Sequence, residues 1–210
     1  HNLKVLLKHK ATGLNLKHLL ISVGPYPLDI LEHLVATFSA EHCPKFMADE
    51  VAATWAEYQD YQDVRVLEIG MDLAYFKHLK SLESTFEDER LKQLVELTID
   101  FYNAVTVQRA IRHQKPHSFM TQLLSDEGSL TSVEWIELAE KGDLAGWFSK
   151  VNPLEFDAEL STYEEKMRSG KLTNLELEYL ADLVQFKLLE QGRFETSGPL
   201  LLVRYLFGKE

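Results

Sequence analysis

The chain has 210 residues, 45% hydrophobic and 26% charged, the composition of an ordinary folded protein, which excludes wholesale disorder and a fibrous chain. Asp and Glu number 33 against 22 Lys and Arg, a formal net charge of −11, so the surface repels a phosphate backbone and nucleic acid is not an expected partner. The longest apolar runs fall far short of the ~18 residues of a membrane span, and Leu200–Val203 is cut off by Arg204.

That length allows one large or two small domains and a sizeable core without staples. The single Cys43 cannot form an internal disulfide, which fits a reducing cytosolic compartment. The chain opens on a helical pattern and stops at Phe207-Gly208-Lys209-Glu210 without a terminal signal, so it is expected to be a piece of a longer protein.

In chain order, His1 to Lys8 read as helix, with breaks at Thr12-Gly13 and Val23-Gly24-Pro25. An amphipathic segment starts over Leu28 to Leu34, and Asp49-Glu50 places acids at a helix N-terminus. Trp55, Tyr58 and Tyr61 recur at helical spacing and are expected to pack. Val64 to Ile69 has strand-like character but is too short and solitary for a sheet. Ser84-Thr85-Phe86-Glu87 has the form of a capping box. Behind it Leu91, Leu94, Val95, Thr98, Ile99 and Tyr102 lay one apolar stripe along a helix predicted to run about 30 residues toward Pro116. Further breaks fall at Glu127-Gly128, Asn152-Pro153 and Ser169-Gly170. Thr131 with Glu134 and Thr173 with Glu176 form two more capping boxes, the second leading into Leu177, Leu180, Ala181, Val184 and Leu188. Asp143 marks another helix start, and Ser197-Gly198-Pro199 puts Pro in a first helical turn. The fold class is all-α.

Internal similarity is the most informative feature. Asn2-Leu3-Lys4-Val5-Leu6-Leu7-Lys8 aligns with Asn103-Ala104-Val105-Thr106-Val107-Gln108-Arg109. Leu19-Leu20, Gly24 and Leu28 to Leu34 then align with Leu123-Leu124, Gly128 and Ser132 to Leu138. Leu67-Glu68-x-x-x-Asp72 is paired with Leu154-Glu155-x-Asp157. Any two amphipathic helices resemble each other, but several matches in one order are harder to attribute to chance. The expectation is two partial helical units, residues 1–100 and 101–210, joined at Asp100-Phe101-Tyr102-Asn103.

Chemistry-bearing motifs are scarce. His-Glu-x-x-His and Cys-x-x-Cys are absent, and Pro116 separates His113 from His117, so no metal site is expected. Cys43 is followed by Pro44 and has no orienting partner, which makes it a structural thiol. No glycine-rich phosphate loop occurs, and neither a cofactor nor a small-molecule substrate is expected. The long helix carries Asp100, Asn103, Thr106 and Arg109 three apart, and Asn2 and Lys8 stand at the Asn103 and Arg109 positions of the other copy. These groups either hydrogen-bond between helices of one unit or line a concave surface where a partner docks.

With those residues in view, the chain resembles the C subunit of V-type and archaeal-type rotary ATPases, known as the d subunit in eukaryotes. The likeness rests on Asn2-Leu3-Lys4-x-Leu6-Leu7-Lys8, on Asp100-x-x-Asn103-x-x-x-x-x-Arg109-Ala110, and on Gly198-Pro199-Leu200-Leu201-x-x-x-Tyr205-Leu206-x-x-Lys209-Glu210. The resemblance implies repeated helical domains around a pseudo-threefold axis, forming a funnel of which part lies outside this chain. It implies a non-catalytic rotor component on the cytoplasmic face of the membrane, coupling the D and F subunits of the central stalk to the proteolipid ring in H+ or Na+ transport. Asn2, Lys8, Asp100, Asn103 and Arg109 are then the candidate partner-binding residues. The alternatives are a general α-helical adaptor with a concave binding face, and an all-α metal-dependent hydrolase.

Overall fold

A computed structural model describes residues 1–151, 158–192 and 198–208. Among the described residues there are eleven α-helices, one 3-10 turn and no strand, as the all-α reading requires. The chain divides into two compact units, His1–Tyr75 and Phe76–Glu210.

The first unit opens with α1 (Asn2–Thr12), which ends on Gly13 in the left-handed region (φ 70°), its N–H donating to the His9 carbonyl. A 3-10 turn (Lys17–Leu19) leads to α2 (Leu28–Thr37), α3 (Lys45–Tyr61) and the start of α4 (Val64–Glu83), the helix in which the unit boundary falls. Leu7, Leu34, Val51 and Leu67 are all but fully buried together. Each such side chain contributes roughly 1.5–3 kcal/mol relative to exposure. Trp55 and Tyr58 pack against this core, whereas Tyr61 is 65% exposed, so the aromatic stripe is two residues long. The structure corrects the helix start expected at Asp49-Glu50 and makes the strand-like Val64 to Ile69 helical, in line with the all-α reading. Asp49 and Glu50 lie in the second turn of α3, because Pro44 caps that helix and Lys45 begins it. Val64 to Ile69 forms the first turns of α4, where burying Leu67 outweighs the β-propensity of its neighbours.

The second unit is organised on α5 (Glu89–Arg112), followed by α6 (His117–Leu123), α7 (Ser132–Glu140), α8 (Leu144–Val151), α9 (Ala158–Arg168), α10 (Asn174–Glu190) and α11 (Pro199–Phe207). Helices α7 and α10 pack on α5. Phe101 of α5 meets Trp147 edge-on at a centroid distance of 5.3 Å, and Trp147 meets Trp135 at 4.9 Å. Such T-shaped pairs add about 0.5–1.5 kcal/mol each beyond area burial. Thr131 and Thr173 form complete capping boxes with Glu134 and Glu176, as read from their spacing. Asp143 accepts from the Gly146 N–H at the start of α8, and Gly198 precedes Pro199 in the first turn of α11. The Ser84 box does not form. Helix α4 runs through Glu83, the Ser84 hydroxyl donates back to the Ser81 carbonyl, and Asp88 caps α5 by accepting from the Arg90 N–H. Asp is as good a cap as Ser, and here it also pairs with the Arg90 guanidinium, so α5 has 24 residues. Asn152, Pro153, Leu154, Glu155, Asp157, Ser197, Lys209 and Glu210 lie outside the described residues.

Candidate functional site

The polar residues singled out on α1 and α5 do the same thing in each unit. Asn103 is fully buried. Its Nδ2 donates to the Ser125 carbonyl at 2.8 Å, while its Oδ1 accepts from the Ser125 N–H at 2.9 Å. Asn2 donates to the Ile21 carbonyl at 2.7 Å and accepts from the Ile21 N–H at 3.0 Å. One primary amide thus replaces a β-ladder partner for one loop residue, pairing both its backbone donor and its backbone acceptor. The preceding residue adds a third bond in both cases. Tyr102 donates its hydroxyl to the Leu123 carbonyl at 3.1 Å, and His1 Nε2 lies 2.9 Å from the Leu19 carbonyl.

Asp100, three residues before Asn103, extends the second clasp. It is fully buried and accepts from both the N–H and the hydroxyl of Ser129. Burial pushes its carboxyl above the ordinary range, the Ser129 bonds oppose that rise, and Glu96 one turn away adds to it. Gly128 gives this carboxylate its room, since a Cβ there would lie 2.2 Å from Asp100 Oδ1.

The basic positions also match. Lys8 of α1 pairs with Glu68 of α4, and Arg109 of α5 pairs with Glu178 of α10 at 2.8 Å. Both pairs are partly exposed: the side chains of Arg109 and Glu178 are 55% and 48% accessible. Thus all five candidate residues make bonds inside their own units, Lys8 and Arg109 through partly exposed ion pairs. Thr106, also on this ladder, is half-buried.

The carboxylates Glu68 and Glu178 are the residues that sequence reasoning failed to connect. Leu67-Glu68-x-x-x-Asp72 recurs unaltered as Leu177-Glu178-x-x-x-Asp182. That motif identity was the available signal, and the weaker match at Leu154, outside the described residues, obscured it. Among the described residues no cluster of His, Cys, Asp and Glu could hold a metal. Cys43 is half-buried, its thiol pushed up by desolvation.

The sequence model of the ATP synthase (C/AC39) subunit family matches residues 1–210. The chain belongs to that family. Its members are the C, or d, subunits of V-type ATPases. The C subunit of the V-type sodium ATPase of Enterococcus hirae is 25% identical over 212 residues, an alignment covering 100% of this chain and 63% of that relative. The chain therefore spans less than two thirds of the relative's length. No solved structure matches significantly. Among the described residues of this family member, no helix is long and apolar enough to cross a membrane.

Proposed function

We infer that this member of the C/AC39 family is part of a non-catalytic rotor subunit, a mechanical joint that transmits torque between the central stalk and the membrane ring of a rotary ATPase. The observation that carries the reading is the repeated construction. Each unit fastens the loop after its lead helix with an Asn amide and links that helix to its last long helix through a surface ion pair. A coupling element has to resist shear without opening. Clasps that tie loops to long helices supply that stiffness, which loops alone do not. The sequence repeat, with its junction near Asp100 to Asn103, is read as successive copies of one module of a pseudo-threefold funnel.

The partners in this reading are the D and F subunits of the stalk and the proteolipid ring, at the cytoplasmic face, with H+ or Na+ as the coupled ion. Lys8 and Arg109 make contact with a partner, while Asn2, Asp100 and Asn103 hold the loops that shape the surface. Co-purification of the full-length parent protein with a folded D–F pair tests the assignment. A stoichiometric complex that weakens with salt is expected, since charged surfaces steer such encounters. Failure to bind the folded pair would overturn it.

A further inference from the structure

In a chain of net charge −11 the carboxylates are not evenly spread. Residues 1–28 contain none, but carry Lys4, Lys8, Lys10 and Lys17. Residues 101–125 also contain none, but carry Arg109, Arg112 and Lys115. With 33 carboxylates in 210 residues, each stretch would hold about four if they were distributed evenly. Both stretches comprise the clasped part of a lead helix and the loop it fastens, so the same elements are basic in both units. Helix dipoles account for Arg109 and Arg112 in the last turn of α5. They do not account for Lys115 beyond the helix, or for the absence of acids upstream.

In the second unit this basic stretch folds around a cleft of about 220 Å3 between α5 and α6. Arg109, His113 and Lys115 line it with charge or potential charge, and Ala110, Phe119 and Leu123 give it an apolar floor. The described lining contains no acid. Glu178 neutralises Arg109, but Arg112 donates to the Leu172 carbonyl and Lys115 lies 5.5 Å from the Phe119 ring centre, so neither of these charges is balanced by a carboxylate in the described contacts. We propose that this cleft is a docking site for an acidic, partly apolar segment of a protein partner, its carboxylate meeting Lys115 and His113 and its aliphatic part meeting Phe119 and Leu123. Charge complementarity selects the occupant: the chain as a whole carries a net charge of −11, and Lys4, Lys8 and Lys17 of the other acid-free stretch are already paired with Asp72, Glu68 and Glu32, whereas Lys115 is not balanced by a carboxylate in the described contacts. The same acidity disfavours a nucleic acid, whose phosphates extend well past a cleft of this size. The cleft shares Arg109 with the rotor reading, but the inference rests on Lys115 and the apolar lining and is tested without the stalk.

The test uses a fluorescent peptide of alternating Glu and Leu, with its Lys-for-Glu counterpart as control. The Glu peptide is expected to perturb the NMR signals of His113, Lys115 and Phe119 and to bind the Lys115→Glu variant at least about tenfold more weakly, because repulsion replaces attraction. Lys115→Arg restores binding. Both variants change an exposed side chain past the end of α5, and their circular dichroism is expected to match the parent. Glu-peptide binding that ignores Lys115→Glu, or signal changes only for the Lys peptide, inorganic phosphate or anionic vesicles, would overturn the proposal. Loss of stalk co-purification with peptide binding intact would instead count against the rotor reading alone.

Discussion

Asp100 is a fully buried carboxyl, and its neighbours show how that burial is tolerated. Two donors from Ser129 meet the carboxylate, and Gly128 leaves the space it needs. In Gly128→Ala the new methyl would meet Asp100 Oδ1 at 2.2 Å and Ile99 Cγ2 at 3.2 Å, and neither can withdraw freely from a packed core. Urea titration is expected to show a loss of about 1–3 kcal/mol. The carboxyl's folded pKa is raised above the ordinary 3.8. Between those two values the folded chain holds a proton that the unfolded chain has released, so stability falls as pH rises through that window. Asp100→Asn keeps an acceptor for the Ser129 N–H and removes the titration, so its stability should vary less from acid to neutral pH. A variant as pH-sensitive as the parent would refute the assignment. The clasps differ in cost for the same reason of burial. Asn103→Ala strands both backbone groups of buried Ser125 and should cost about 2–4 kcal/mol. Asn2→Ala leaves the groups of exposed Ile21 to water and should cost about 1 kcal/mol.

Helix ends show which parts of the fold could be read from sequence. Thr131 and Thr173 were legible because a capping box is a local code of fixed spacing, complete within four residues. Ser84-x-x-Glu87 fits the same code and fails, because Asp88 and the continuation of α4 compete for the same turn, a contest that spacing does not record. The strand-like Val64 to Ile69 was misleading in kind, since its helical state is decided by the burial of Leu67 in a core built from distant residues. The Thr173 box also ties two helices, because Glu176 pairs with Lys166 of α9 at 2.7 Å. That bond, with those from Thr173, holds the Glu176 carboxyl down to about 2 from 4.5. Its stabilising contribution is therefore complete above the ordinary carboxylate range and is lost as pH falls toward about 2. Acid titration followed by circular dichroism should show Glu176→Gln losing less stability than the parent between neutral and acidic pH. Equal losses would mean that solvent screens this exposed pair completely.

At the scale of the molecule, the repeated lead helix was legible because its Asn and basic positions keep their spacing, whereas the return helix was misregistered. The second unit is longer between its lead and last helices, and the Leu-Glu-x-x-x-Asp motif slides accordingly from Leu67 to Leu177. Three-dimensional pairing, Lys8 with Glu68 and Arg109 with Glu178, restores the register that a linear search misses. The family and its fold class could be read from the sequence; for Asn2, Asp100 and Asn103 the sequence offered bonds within the unit and contact with a partner side by side, because a polar residue on an apolar helix looks the same in either role, and the structure shows the bonds within the unit, made to loops. Two units with separate cores also have a thermodynamic consequence. Trp55 packs on the first core, while Trp135 and Trp147 lie in the second, so fluorescence distinguishes them. In Trp55→Phe the emission reports the second unit alone. Adding Asn103→Ala to that background should shift the urea midpoint strongly, and adding Asn2→Ala should leave it almost unchanged, because destabilisation in one cooperative unit need not propagate to another. Equal shifts from both substitutions would show instead that the chain unfolds as a single cooperative body, and that the helix α4, in which the boundary falls, transmits stability from one core to the other.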